Sequence, residues 1–281
     1  MKVISASRRT DLVAFFPAWL AAALRAGRAR VLGPSGRVFT ADLRPEAVHT
    51  IVLWSKDFSN LLRNAEGLRD ALAAFDQVYA HFTVTGLGGT GLEPGAPPPE
   101  EALAQLPGLV SILKDPRRLS VRFDPVVFWG KEGNRRTNLE AFDRVATAAA
   151  AAGTRDIRMS FAQWYKKAAR RMRAQGLEIV DPSEDEKIEI ASRLAETAGR
   201  RGLRLWACSQ NFLTRAAGVE ASACIDGRLL AALHPRKAAA SAVKDRTQRA
   251  ECGCTVSVDI GSYAQACPHA CLYCYANPRG V

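Results

Sequence analysis

Cys267-Pro-His269-Ala-Cys271-Leu-Tyr273-Cys274 holds three cysteines in a C-x3-C-x2-C array. Such spacing lets three thiolates converge from a single loop on one small inorganic centre. A cubane [4Fe–4S] cluster has four iron corners, so three protein thiolates leave one iron open for chemistry. Zinc is the competing reading. It favours four ligands, commonly two C-x2-C pairs separated by a loop, and Cys252 or Cys254 would have to supply the fourth thiolate. A disulfide framework fits less well, because seven cysteines is an odd number and the opening Met1-Lys-Val-Ile-Ser lacks the apolar core of a secretory signal.

Outward from this array the chain alternates strand and helix signals. Strands are expected at 2–6, 50–54, 77–85, 119–128, 156–161 and 203–209. Between them lie a helix with Pro17 in its first turn and Gly27 at its stop, one traced by Leu61 to Leu72, and one over 100–114. Further helices are expected over 137–152, capped by Thr137 or Asn138, from Gln163, and after the capping box Ser183-Glu-Asp-Glu186. Alternation of this kind argues parallel βαβ units, in either a barrel or an open doubly wound sheet. Gly86 to Pro99 is too rich in glycine and proline for regular structure. From Thr214 the rhythm stops, and short apolar pieces, the basic segment His234 to Arg249 and most of the cysteines take its place. Residues 1–213 are therefore expected to form the βα unit and 214–281 a Cys-rich segment.

With Tyr273 in its aromatic slot, the array resembles the radical S-adenosylmethionine (SAM) signature, C-x3-C-x-aromatic-C. Nearly the whole sequence is similar to a bacterial family of uncharacterised proteins described by such a C-terminal cluster. The likeness runs from Ser5-Ala-Ser-Arg8-Arg9-Thr-Asp11, through Arg122-Phe-Asp124-Pro, to Asp259-Ile-Gly and Cys267 to Asn277. It departs from the usual radical SAM order, in which the array follows the first barrel strand. The resemblance implies an α/β fold: a partial (β/α)6 TIM-like barrel whose mouth is closed by the Cys-rich C-terminal appendage. It also implies a cytoplasmic radical SAM-type enzyme. Cys267, Cys271 and Cys274 would hold a [4Fe–4S] cluster whose open iron binds SAM. A low-potential electron donor would then drive cleavage of SAM to a 5′-deoxyadenosyl radical. The substrate and the catalytic residues stay unassigned.

A barrel collects the residues that follow its strands at one face. For SAM, Arg122 can pair with the carboxylate, Asp124 can take the ammonium or order the arginine, and Ser160 can bond the ribose. Tyr273 would stand beside the cofactor. An ordinary ion pair at a strand end is the alternative for Arg122 and Asp124. The glycines from Gly86 to Gly91 lack a Walker lysine and suit a close backbone approach to SAM instead. His49, His81, His234 and His269 show no ligand-like spacing.

The other four cysteines, Cys208, Cys224, Cys252 and Cys254, can close a second [4Fe–4S] cluster. Zinc, or a life as small buried hydrophobes, are the alternatives.

The 281 residues carry 39 Lys+Arg against 28 Asp+Glu, a formal charge of +11. That balance admits nucleic acid or a phosphorylated small molecule as partner, or simply reflects a GC-rich genome's taste for arginine. No apolar run approaches the roughly 20 residues of a membrane span, and a soluble cytoplasmic protein is expected. No G-x-S-x-G elbow supports a serine hydrolase. The main alternative function is a noncatalytic iron–sulfur or zinc protein that binds nucleic acid.

Overall fold

Eight strands form the central sheet: β1 (Lys2–Ala6), β2 (Val48–Ser55), β3 (Val78–Thr83), β4 (Leu119–Val126), β5 (Asp156–Phe161), β6 (Arg204–Cys208), β7 (Val219–Ser222) and β8 (Val258–Asp259). The computed structural model describes residues 1–33 and 36–276. Asn277 and the last residues of the 214–281 segment lie outside them.

Every ladder of the sheet is parallel. The spatial order is β7-β6-β5-β4-β3-β2-β1-β8. From β1 to β7 the order follows the sequence without reversal. A doubly wound sheet reverses at a switch point, so that arrangement is excluded. The sheet is open, with β7 and β8 at its edges, and no ladder closes it among the described residues. Both edge strands come from the segment after Thr214.

Side chains alternate across a strand, and the two faces of this sheet differ in kind. On one face Ile4, Ile51, Leu53, Phe82, Phe123, Ile157 and Met159 join the main apolar core. Helices Pro17–Arg25, Leu106–Leu113, Phe142–Ala151 and Glu184–Arg200 pack there through Leu20, Leu109, Val145 and Leu194. The alternate positions carry Ser5, Trp54, His81, Arg122, Arg158 and Cys208. Parallel strands buried on both faces usually read as continuous apolar runs, so this polar face marks a place where something other than packing is at stake. Part of the C-terminal segment covers it: Cys224, Ile225, Leu230, Leu233 and Cys254 pack over Val3, Val52 and Tyr79.

Several local expectations hold. Pro17 opens its helix, Gly27 takes the left-handed conformation (φ 65°), and the Ser183 hydroxyl accepts from the Glu186 amide at 3.2 Å. Others change. The helix traced from Leu61 to Leu72 is two short pieces, Ser59–Leu62 and Leu68–Leu72, because Asn64, Glu66 and Gly67 all adopt positive φ. The helix expected from Thr137 starts as a single 3-10 turn, Leu139–Ala141, and becomes α-helical at Phe142; the Thr137 hydroxyl accepts from the Leu139 amide at 3.3 Å, while the Asn138 side chain makes no capping bond. Its carboxamide instead accepts from the Val127 amide (2.8 Å) and donates to the Thr85 and Pro125 carbonyls. Two antiparallel additions were not foreseen: the hairpin Arg28–Leu32/Val38–Asp42, and a three-stranded patch in which Phe128–Lys131 pairs with both Asn134–Thr137 and Glu178–Ile179.

Phe123 is fully buried and meets Phe142 edge-on, with ring centroids 5.2 Å apart. Phe123→Ala should lower unfolding free energy by about 3–5 kcal/mol, the usual cost of an aromatic cavity. Urea unfolding checks it, and a loss below about 1 kcal/mol would show that this face is not a packed core.

Candidate metal centre

The three cysteines of the C-x3-C-x2-C array sit on two consecutive turns. The Ala270 amide donates to the Cys267 carbonyl at 3.3 Å and the Cys274 amide to the Cys271 carbonyl at 3.1 Å. Ala270 adopts φ 53°, which reverses the chain between the turns. Backbone amides point at sulfur: those of His269 and Asp11 at Cys267, and that of Ala276 at Cys274 (3.3 Å). Burial pushes the Cys267 thiol up to about 12 and raises Cys271 and Cys274 as well.

The cradle for this loop is the irregular stretch from Gly86 to Pro99. The Leu272 amide donates to the Leu92 carbonyl (3.0 Å) and the Gly95 amide to the His269 carbonyl (3.2 Å). His269 bridges the Gly95 carbonyl (2.9 Å) and the Asp11 carboxylate (2.8 Å). Asp11 in turn accepts from the Ser55 hydroxyl and the Lys56 amide at 2.7 and 3.0 Å. The cysteine loop is thereby tied to the segment after β1 and to the end of β2. From the other side, Arg171 donates to the Leu272 and Cys274 carbonyls. One member of the basic group at 166–173 thus serves the loop, while Lys166, Arg170 and Arg173 are exposed.

The glycines here permit a close approach between two backbones. A Cβ on Gly95 would stand 2.1 Å from the Pro268 carbonyl oxygen and 3.0 Å from His269 Cα. Gly95→Ala must therefore displace the cysteine loop. If the loop holds iron, the amount bound per chain after reconstitution should fall at least severalfold while the far-UV circular dichroism stays unchanged. Full metal loading in this variant would contradict the cradle.

Glu93, 1% exposed, gathers three donors. Lys56 Nζ lies 3.0 Å from its Oε1, the Thr85 hydroxyl donates at 2.5 Å, and the Tyr273 hydroxyl donates to the same oxygen. Burial works against the Lys56 charge, but Glu93 and the neighbouring Cys271 hold its pKa above the ordinary value. Burial, then Glu93, keeps the Tyr273 phenol well above its usual range and so protonated. Tyr273 is thus a buried strut of the loop, and it also lines the cavity that opens beside Cys274.

Beside Cys274 opens a cavity of about 190 Å³, lined among others by Asp124, Ser160, Gln163, Cys208, Gln210 and Arg249. The Ser160 hydroxyl donates to Asp124, and Arg122 pairs with the same carboxylate. The Arg122 guanidinium also donates to Cys224 Sγ at 2.7 Å. Asp124 and Ser160 therefore face the cavity, while Arg122 is held behind them by its own partners.

Cys208, Cys224, Cys252 and Cys254 also come together. Cys208 and Cys224 sulfurs are 3.3 Å apart, and Cys254 contacts both Cys224 and Cys252. All seven cysteines are free of disulfides. Among the described residues, no three or more Cys, His, Asp or Glu side chains are already arranged to hold a metal ion.

Sequence reasoning missed the Lys56–Glu93–Tyr273 and Asp11–His269 contacts and the roles of Trp54 and His81. Trp54 stacks on His81 with centroids 4.1 Å apart, and the His81 ring meets the Cys224 carbonyl at 2.7 Å. Polar residues at alternate positions of β2 and β3 were the available signal for the second pair. The first contacts join residues far apart in sequence and leave no local mark.

Among the described residues, no helix is long and apolar enough to cross a membrane. A comparison with curated proteins found no match. Among solved structures, the chain is similar to the crystal structure of a D-hydantoinase, at 13% identity over 77% of this chain and 45% of that one, with a TM-score of 0.35. The D-hydantoinase from a Bacillus sp. AR9, described with mercury inhibition, gives 13%, 77%, 45% and 0.34. The chain spans under half the length of either hydantoinase. The model of a family described as a domain of unknown function, DUF1848, matches residues 3–276, and the chain belongs to that uncharacterised family.

Proposed function

We propose that the protein is a radical SAM-type enzyme in which Cys267, Cys271 and Cys274 hold a [4Fe–4S] cluster. The observation that carries this reading is the cysteine loop itself. Three thiols on consecutive turns, with backbone amides aimed at Cys267 and Cys274 sulfurs, support a cluster with one unligated iron, to which the side chains would converge by rotation. The other four thiols contact one another elsewhere. Bound there, such a cluster supplies the electron that cleaves SAM and starts radical chemistry on a substrate.

The chain's own residues give that chemistry its setting. Glu93 and Lys56 fix the loop from beneath, and Arg171 from the side. Asp124, oriented by Arg122 and Ser160, offers a carboxylate to the ammonium of SAM in the cavity beside Cys274. Tyr275 lines the same cavity, its hydroxyl bonded to the Arg8 carbonyl at 2.6 Å. The six sequential parallel strands β1 to β6, with their helices on one face, support a partial (β/α)6 barrel, and the segment from 214 adds the two edge strands and a Cys-rich cover. A low-potential electron donor is the required partner.

Anaerobically reconstituted protein should be brown, bind about four iron and four sulfide in the loop, and release 5′-deoxyadenosine from SAM with a strong reductant. A colourless protein that holds only zinc and leaves SAM intact would sink the reading. For the substrate, the exposed Lys166, Arg170 and Arg173 favour a phosphate-bearing molecule, nucleic acid included. Binding of single-stranded RNA or DNA should then weaken steeply as salt rises. Salt-independent binding, or none, would point to a small uncharged substrate.

A further inference from the structure

We propose that Cys208, Cys224, Cys252 and Cys254 are the ligands of a second metal centre, closed by four thiolates, whose Cys208 lines the same cavity as Cys274. This inference does not depend on SAM chemistry at the first loop.

The four thiols come from three separate places. Cys208 ends β6, Cys224 lies just past β7, and Cys252 and Cys254 stand on the segment that leads to β8. Packing alone gives no reason for four sulfurs to follow one another in a run of contacts, Cys208 to Cys224 to Cys254 to Cys252, on a face that also carries buried cations. Arg122 donates to Cys224 Sγ at 2.7 Å, with a second nitrogen 3.9 Å from Cys208. Arg8 interacts electrostatically with Cys254, Cys224 and Cys252, and its buried Nη2 has no hydrogen-bond partner. Both guanidinium groups lie 5.4 Å from the Trp54 ring. The Ile225 amide donates to Cys254 Sγ at 3.3 Å.

With four neutral thiols, Asp124 alone would answer Arg122, and the buried Arg8 Nη2 would stay without a partner. Four thiolates around a divalent ion carry two net negative charges, as they do around a [4Fe–4S] core at its 2+ level. Arg8 and Arg122 answer that charge, and the amide and guanidinium donors are the outer-shell groups that orient and tune sulfur ligands. The Cys208–Cys224 separation of 3.3 Å is far longer than a disulfide bond of about 2.05 Å. It is shorter than the edge of about 3.8 Å implied by Zn–S bonds of about 2.3 Å in a tetrahedron. The shell must therefore open by side-chain rotation to admit its ion, and more widely for a cubane. Cys208, half-buried, faces the cavity with Asp124 and Ser160. A metal held there would present one ligand to whatever the cavity binds.

The test is metal and sulfide analysis of anaerobically purified protein in three forms: wild type, Cys267→Ala/Cys271→Ala/Cys274→Ala, and Cys252→Ser/Cys254→Ser. The triple variant should keep about one zinc, or about four iron with matching sulfide. Either metal supports the centre, and the visible spectrum tells them apart because zinc is colourless. The double variant should lose that same metal and keep what the loop holds. A folded triple variant with no residual metal would overturn the proposal. So would a Cys208–Cys224 disulfide found by mass spectrometry in metal-free wild-type protein. If the triple variant does not fold, the wild type and the double variant decide: equal metal content in the two overturns the proposal. SAM cleavage is not the readout, so failure here and failure of the first loop's function are told apart.

Discussion

Replacing Cys271 with alanine should reduce SAM cleavage to the reagent blank and strip iron from the loop. Cys271 is 5% exposed, interacts electrostatically with Glu93, Lys56 and Cys274, and belongs to the apolar cluster that includes Leu92, Leu272 and Tyr273. Changes to outer-shell groups typically cost roughly 10- to 100-fold in metal affinity or activity. A direct ligand should exceed that range. The fold should persist, because a buried cysteine changed to alanine removes one small side chain, a modest loss beside the truncation of a large aromatic. Iron content, 5′-deoxyadenosine release and circular dichroism are read on one preparation. A folded Cys271→Ala protein that still cleaves SAM would remove Cys271 from the ligand set.

Glu93→Ala should be the most destabilising polar substitution in the molecule. It leaves the Lys56 ammonium buried without its carboxylate and takes the acceptor from Thr85 and Tyr273 at once. Breaking one side of a buried ion pair costs about 3–5 kcal/mol. For a chain of 281 residues that corresponds to a fall in Tm of roughly 5–8 °C. Glu93→Gln keeps an acceptor but not the charge and should fall between. The cysteine loop rests on the same group, so metal loading should drop together with Tm. An unchanged Tm in Glu93→Ala would mean that Lys56 finds water or another partner.

Much of the architecture was legible because it is local. β-branched runs, Pro17, Gly27 and the Ser183 capping box each act within a few residues, and the alternation they mark gave the parallel α/β class. Strand order was not legible, since periodicity does not tell a strand which neighbour to choose. The breaks at Asn64 to Gly67 escaped because the apolar spacing of Leu61 to Leu72 continues across them. Asn138 looked like a cap and proved to be a bridge among three backbone segments. The triplet of cysteines stood out by spacing alone. What supports it did not, because Asp11 and His269 are 258 positions apart and Glu93 and Tyr273 are 180 apart. Contacts of that span are created by the sheet, which brings the ends of β1, β2 and β3 to one edge beside the C-terminal loop.

The most direct test of the central claim is electron paramagnetic resonance of the anaerobically reduced protein, recorded before and after SAM is added. If the proposed cluster has an open iron, SAM would bind there, and the reduced [4Fe–4S] signal should shift on addition. The shift should vanish in the Cys267→Ala/Cys271→Ala/Cys274→Ala variant. A signal that SAM leaves unchanged, or no iron–sulfur signal in wild-type protein, would contradict the account.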